Sequence, residues 1–435
     1  MKKRIVTIFM TALMLFSTIG CGGGKKKALF PVYDDSKQMA IAGWDSPIDT
    51  LADYQLAKDM GLTYMFIDEM FAQRGTEKYK QILDYCAQVG LKGIINFGSN
   101  QTTFVDKPDD TVYSDYPGVG AINYWDEPWY SSFDKLSELA DQHMRTYGGK
   151  LEFFVNLYPN SAIPTFEGHS YDEYVQAFCD KVLAKITEGT RILSCDIYPL
   201  EKQSDGTGSV LLSNWLSCIE TIATYAKQYG AEGHVFLQST EHLNYRAITA
   251  DDLRWQFYVN MAFGIKRFTY FTYTTSFLQN FQKSCVDRNI SCKTYPQYDN
   301  AKEVNTEIES FDNVYLNFNW NGVMPLLGIN NEAGYDMNFD GLNHALDSLD
   351  CVNRAQSDQD ALIGQFKDKD GNDGLMVVNF TDPYYQTSNN VKIEFIKATR
   401  ALVYRKGAAK AYTVQKNRME IPLDPGEGVF IIPIA

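Results

Sequence analysis

The chain predicts an α/β fold, a (β/α)8 TIM barrel followed by a small all-β C-terminal sandwich domain. Three observations carry that expectation. Between residues 38 and 275, short apolar runs alternate with stretches whose apolar residues recur every three or four positions, the pattern of parallel βαβ units. Eight such runs over about 240 residues match the size of a closed (β/α)8 barrel. Beyond residue 328 the helical spacing gives way to short strands parted by turns such as Lys369-Asp370-Gly371-Asn372 and Asp424-Pro425-Gly426, as in an antiparallel sandwich. An open doubly wound sheet is the competing reading, but no Gly-rich phosphate loop follows the first strand.

In chain order, the expected barrel strands are 39–44, 64–67, 93–97, 122–125, 151–157, 192–197, 234–237 and 267–273. Helices are expected at 51–60, 76–89, 133–147, 171–186, 212–229 and 250–264. The second is typical, with Tyr79, Ile82, Leu83 and Cys86 on one face. In the last, Asp251 and Asp252 occupy the first turn, where negative charge suits the helix dipole. A further helix is expected at 300–317. The sandwich strands are expected at 362–366, 374–380, 391–395, 401–404, 411–414, 418–421 and 428–434. The resulting domains are 1–20, a targeting segment; 21–37, a tether; 38–325, the barrel; and 326–435, the sandwich.

Composition narrows the function classes. A net charge of −14 argues against a nucleic-acid partner. The five histidines are scattered, so neither a metal site nor a cofactor is expected. Of the eight cysteines, Cys86, Cys179, Cys195 and Cys218 fall in helical or strand patterns and read as buried thiols. Cys285 and Cys292 share a polar loop and could pair in an oxidising compartment. Lys2-Lys3-Arg4, the apolar stretch 5–19 and Ser-Thr-Ile-Gly-Cys before a Gly- and Lys-rich run at 22–27 form a secretory leader too short to span a membrane well. This leader resembles a bacterial lipoprotein signal, which implies cleavage before Cys21, lipid on its thiol, and anchoring to the cell envelope, at the outer membrane or cell surface.

In a barrel of this kind the reactive residues stand at the C-terminal ends of the strands. Polar residues gather there: Asp45, Asp68 with Glu69, Asn96, Asp126 with Glu127, Asn156, Asp196 with Tyr198, Gln238 and Tyr273. The fourth strand ends in Tyr-Trp-Asp-Glu-Pro-Trp, where Pro128 stops the ladder beside Trp125 and Trp129. A carboxylic acid next to aromatic rings can be held protonated, as the cleavage of a glycosidic bond requires. Glu127 is therefore the first candidate acid. Neighbouring strand residues point to opposite faces, so Asp126 joins Glu127 in one site only if the strand bulges or ends there.

Tyr-Trp-Asp-Glu-Pro on strand four, Asp196-Ile197-Tyr198-Pro199 on strand six and Met261-Ala262-Phe263-Gly264-Ile265 before strand eight resemble a glycoside hydrolase barrel. The resemblance implies an oligo- or polysaccharide substrate outside the cytoplasm, an acid/base at Glu127 and a second carboxylate at the end of strand seven. Gln238 stands at that end, and an amide cannot be a carboxylate nucleophile. Asp196 or Glu241 could then supply the second carboxylate. In a substrate-assisted variant, as in some hexosaminidases, Asp126 would hold the sugar's 2-acetamido group, Glu127 would be the acid, and Tyr198 would bond the acetamide oxygen. Trp44, Asp68, Trp129, Tyr198, Gln238 and Tyr273 are the expected substrate-binding residues. A classical retaining glycosidase and a non-catalytic carbohydrate-binding lipoprotein are the alternatives.

Overall fold

The computed structural model describes residues 31–97, 111–278, 280–331, 339 and 341–435. The basic leader, Cys21 and the 22–27 run lie outside them. Eight parallel strands close into a barrel: β1 (Ala40–Gly43), β2 (Tyr64–Ile67), β3 (Lys92–Asn96), β4 (Val119–Asp126), β5 (Glu152–Leu157), β6 (Ile192–Cys195), β7 (Glu232–Gln238) and β8 (Arg267–Phe271). Each strand pairs with its neighbours in sequence, and β8 closes on β1. The longer helices are α1 (Leu51–Asp59), α2 (Glu77–Val89), α3 (Phe133–Tyr147), α4 (Tyr171–Lys181), α5 (Trp215–Tyr229), α6 (Ala250–Ala262) and α7 (Pro296–Glu309).

Local chemistry sets the helix ends. Thr76 accepts a bond from the Tyr79 N–H at the start of α2, and Gly90 ends that helix at φ 78°, a left-handed conformation that costs glycine little. Ser170 and Thr249 each form a reciprocal cap with the acid three residues on, Glu173 and Asp252. Helix α4 stops at Lys181 rather than Ile186, with a single 3-10 turn completing the stretch. The seven described cysteines are free thiols. Cys285 is buried and Cys292 exposed, so the pairing that their shared loop allows is not made.

The barrel interior holds Ala42, Phe66, Ala121, Phe154 and Phe236, residues of alternate strand positions as the pleat requires. Its N-terminal end is closed by charge. Arg267 donates to both Glu152 oxygens at 2.9 and 2.6 Å and to Glu232 at 2.6 Å.

The C-terminal part is a sandwich. One sheet has six strands in the order β9 (Phe318–Leu326), β11 (Ala361–Asp368), β12 (Asp373–Asn379), β17 (Gly428–Ile434), β14 (Arg400–Arg405) and β15 (Ala408–Thr413). The other has three: β10 (Val352–Ser357), β13 (Asn389–Phe395) and β16 (Arg418–Leu423). Leu375, Val377, Val391, Ile393, Ile421 and Ile431 fill the space between them. The sheet begins at Phe318, ahead of the residue-326 boundary, because Phe318–Leu326 reads as a helix tail followed by mixed residues and declares itself only through its pairing with β11. Residues 33–435 form one compact unit. Helix α6 lies so close to the large sheet that a Cβ at Gly364 would collide with the Ala262 carbonyl, and one at Gly428 with Tyr258. Arg246 ties the parts together, donating to Asp252 at 2.6 and 2.8 Å and to Asp382 of the sandwich at 2.9 Å.

Candidate active site

A break in strand alternation builds the site. Ala121 and Asn123 share the same side of β4, with Ala121 in the interior cluster. Continued alternation would turn Asp126 away from the interior. The β4–β5 register shifts between Asn123 and Trp125, so one extra residue is inserted, and Asp126 comes opposite Asn156. A bulge of this kind re-aims every side chain beyond it. Glu127 follows at φ +57°, a left-handed turn that departs from strand geometry altogether. Its N–H donates to the Asn156 carbonyl at 2.8 Å. The condition set by the sequence for Asp126 and Glu127 to share one mouth is thus met by a bulge and a left-handed residue in succession.

Asn156 is the hub. It is 1% exposed, and its Nδ2 donates to Asp126 Oδ1 at 3.1 Å and to Asp196 Oδ1 at 2.8 Å. Those two bond lengths hold the two carboxylate oxygens within about 6 Å of each other. Burial pushes Asp126 up to about 7, and the neighbouring Asp196 charge adds to the rise. Burial pushes Asp196 up to about 6, against the hydrogen bonds of Asn156 and Tyr198. Two carboxyls sharing one buried donor do not both ionise readily. Burial and mutual repulsion thus favour a proton on the pair at a pH well above the ordinary carboxylate range.

Glu127 and Asp196 line a cleft of about 480 Å³. Its walls are aromatic: Tyr198 stacks on Phe271 at 5.2 Å, and His242 stacks on Phe281 at 4.7 Å. Tyr245, edge-on to Tyr198 at 5.4 Å, completes that side. Burial holds His242 below its ordinary range, and its Nδ1 faces the Thr240 carbonyl at 2.9 Å. Trp129 is 45% exposed, and Tyr158 lies near both Trp129 and Glu127. Among the described residues no group of three or more His, Cys, Asp or Glu side chains could hold a metal ion.

The structure brings together Asp126, Glu127, Asp196 and Tyr198, with Trp129 nearby through Tyr158. Other expected site residues are placed elsewhere. Gln238 is fully buried. Its amide donates to the carbonyls of Leu200 and Arg246 at 3.0 and 3.1 Å and accepts from the Leu200 N–H at 3.0 Å. It braces the loops after β6 and β7, and both polar atoms of its side chain have backbone partners. Glu241 is bound to Lys202 at 2.6 Å, an ion pair that occupies its carboxylate. Tyr273 is fully buried against Gly43, with its hydroxyl unbonded in the core. Trp44 packs between Phe66 and Phe236 at 4.6 and 5.5 Å as part of the barrel filling. Asp68 accepts from the N–H groups of Ser46 and Met70 at 3.2 and 2.8 Å. It belongs to a separate acidic pair with Asp45, which burial and Asp68 together push up to about 7.

Asn156 stood in the sequence only as one of the polar strand ends, and three further residues went unnamed: Ser194, His234 and Thr269. Ser194 Oγ donates to Asn156 Oδ1 at 2.8 Å and meets His234 Nδ1 at 2.7 Å, while His234 Nε2 meets Thr269 Oγ1 at 2.8 Å. Their signal is a polar residue at an inward position of successive barrel strands, visible only once the strand phase is known.

No family model matches the chain, and no curated protein does. Among solved structures, the chain is similar to one from Bacteroides fragilis whose description proposes an alpha-galactosidase, at 12% identity and a TM-score of 0.51, covering 91% of this chain and 78% of that one. It is also matched by a β-L-arabinopyranosidase from Geobacillus stearothermophilus at 11% identity, 91% and 96% coverage and a TM-score of 0.47. At these identities the likeness is one of fold, and the fold is a parallel eight-stranded TIM barrel carrying a C-terminal β-sandwich.

Proposed function

We propose that the protein is a glycoside hydrolase acting on extracellular glycans, with Asp126 and Asp196 as the reacting carboxyl pair and Glu127 beside them in the cleft. The carrying observation is the single Asn156 amide that bonds both carboxyls, one of which, Asp196, lines an aromatic-walled opening together with Glu127. That amide holds one oxygen of each carboxyl within about 6 Å of the other, close enough for both to serve one glycosidic bond. One carboxylate attacks the anomeric carbon as the other, protonated, gives its proton to the leaving oxygen. Water then displaces the enzyme carboxylate, returning a proton to the acid. The fold likeness to a protein described as a proposed alpha-galactosidase agrees with this class.

A second reading is favoured by one observation, the bulge that brings Asp126 and Glu127 to the same mouth. There Glu127 is the acid, Asp126 holds a 2-acetamido group of the substrate, and that group's oxygen replaces the protein nucleophile. A panel of aryl glycosides, with and without the 2-acetamido group, separates the two. Two-carboxylate catalysis predicts that Asp126→Asn and Asp196→Asn each lose about 10²–10⁴-fold in kcat. The substrate-assisted route predicts the largest loss at Glu127→Gln and tight binding of a thiazoline. If wild type binds glycans but releases no product over days, the protein is a carbohydrate-binding lipoprotein and both enzymatic readings fall.

A further inference from the structure

We propose that Thr269, His234, Ser194 and Asn156 form a directional hydrogen-bond relay across the barrel interior, in which Asn156 is a positioning residue that presents both of its amide N–H groups to Asp126 and Asp196. The catalytic consequence rests on the glycosidase reading; the order of the bonds does not.

The direction follows from donor counting. Asn156 Nδ2 stands 3.1 and 2.8 Å from the two carboxyls; the ionised member of the pair can only accept, and the protonated member accepts through its carbonyl oxygen, so Asn156 faces both with nitrogen and turns Oδ1 the other way. Ser194 has a single hydroxyl proton, and it is committed to that Oδ1 at 2.8 Å. Ser194 therefore accepts at its 2.7 Å contact with His234, which requires a proton on Nδ1. His234 is held neutral: burial and the nearby Arg267 charge keep it well below its ordinary range. A neutral ring protonated on Nδ1 has a lone pair on Nε2, so Thr269 donates there at 2.8 Å. Each link fixes the next, from β8 through β7 and β6 to β5.

All four residues are at most 4% exposed, so water does not compete for the links. The rings of Phe154 and Phe236 stand edge-on to His234 at 5.1 and 5.2 Å, and Arg267 is the charge that faces it. The carboxyl pair is faced by Glu127, Tyr158, Tyr198 and Tyr245 and by the Cys195 and Cys218 thiols. None of these has the relay's geometry toward both carboxyls. A buried amide free to flip would present its oxygen to both of them, since both bond the same Nδ2, and would repel the ionised form. The relay removes that freedom.

The test uses the whole protein and four forms: wild type, Thr269→Val, Ser194→Ala and Ser194→Thr. Thr269→Val keeps the shape but removes the terminal donor, so the His234 proton can move to Nε2 and Ser194 then turns to donate to the ring. Two readouts follow the carboxyl pair: the pH dependence of the unfolding midpoint, which needs no substrate, and the acidic limb of kcat/KM on whichever aryl glycoside wild type cleaves. Thr269→Val and Ser194→Ala are expected to lower the pair's proton dissociation constant about tenfold, moving both profiles to higher pH. Ser194→Thr, which keeps the hydroxyl, is expected to stay within about twofold. If Ser194→Ala does not fold, Thr269→Val carries the comparison alone. Unshifted profiles in Thr269→Val overturn the relay, as does a Ser194→Thr shift equal to that of Ser194→Ala. A shifted stability profile in a protein that cleaves no glycoside upholds the relay and defeats the glycosidase reading; an active enzyme with unshifted profiles does the reverse.

Discussion

Replacing Asp126 by Asn should stabilise the protein at alkaline pH and leave its stability nearly unchanged at acid pH. Asp126 is pushed from 3.8 up to about 7, first by burial and then by Asp196. The folded state thus holds a proton that the unfolded chain releases, and folding stability from this group is full below about pH 4 and lost as pH rises toward 7. At 1.36 kcal/mol per pH unit the whole displacement corresponds to a ceiling of about 4 kcal/mol. Two features reduce it. Asp126 is only partly buried, and part of its displacement is the Asp196 charge, which the same substitution relieves for both residues. The Asn156 bond survives, because an Asn carbonyl at position 126 still accepts it. The expected gain is about 1–3 kcal/mol at pH 8, or a few degrees in Tm. Denaturant unfolding at pH 8 and at pH 4.5 measures it. A variant no more stable than wild type at pH 8, or one whose gain is the same at both pH values, would refute the assignment of a retained proton to this pair.

Arg246→Leu strands the buried Asp252 and Asp382, which are 1% and 0% exposed at the side chain. It should cost about 3–5 kcal/mol, read as a fall in the denaturant midpoint; a loss under 1 kcal/mol would contradict the clamp between barrel and sandwich. Gln238→Glu places a charge against the Leu200 and Arg246 carbonyls and should destabilise by about 2–4 kcal/mol without raising activity; any gain in kcat would restore position 238 as a nucleophile site. Glu241→Gln should leave kcat within about twofold, since Glu241 is committed to Lys202. If the leader directs lipidation, Cys21→Ser should release the protein from the membrane fraction, and membrane retention of that variant would reject lipid anchoring.

The fold was legible because barrel strands and helices repeat a simple alternation of periods. The site was legible in part. Asp126, Glu127, Asp196 and Tyr198 follow from strand ends in a barrel. What misled at Gln238 and Tyr273 is that position along a strand does not give side-chain satisfaction: one is fully hydrogen-bonded by backbone, and the other packs beneath Gly43. Glu241 misled for another reason, because a lysine thirty-nine residues earlier in the chain, Lys202, neutralises it in space. The bulge at Tyr124 was not legible, since nothing in Asn-Tyr-Trp-Asp marks an inserted residue until the register with β5 is seen. The relay beneath the carboxyls depends on that same phase, and a lone inward Ser or His in an apolar strand gives no hint of its partners on the next strand.

The carboxyl pair is the centre of the proposed chemistry, and trapping addresses it most directly. The protein is incubated with 2-deoxy-2-fluoro glycosides carrying a good leaving group, chosen for the sugars that wild type cleaves, and the adduct is located by mass spectrometry of the digested chain. A glycosyl ester on Asp126 or Asp196 is the predicted result. A label on another residue, or turnover with inversion and no adduct, would contradict it.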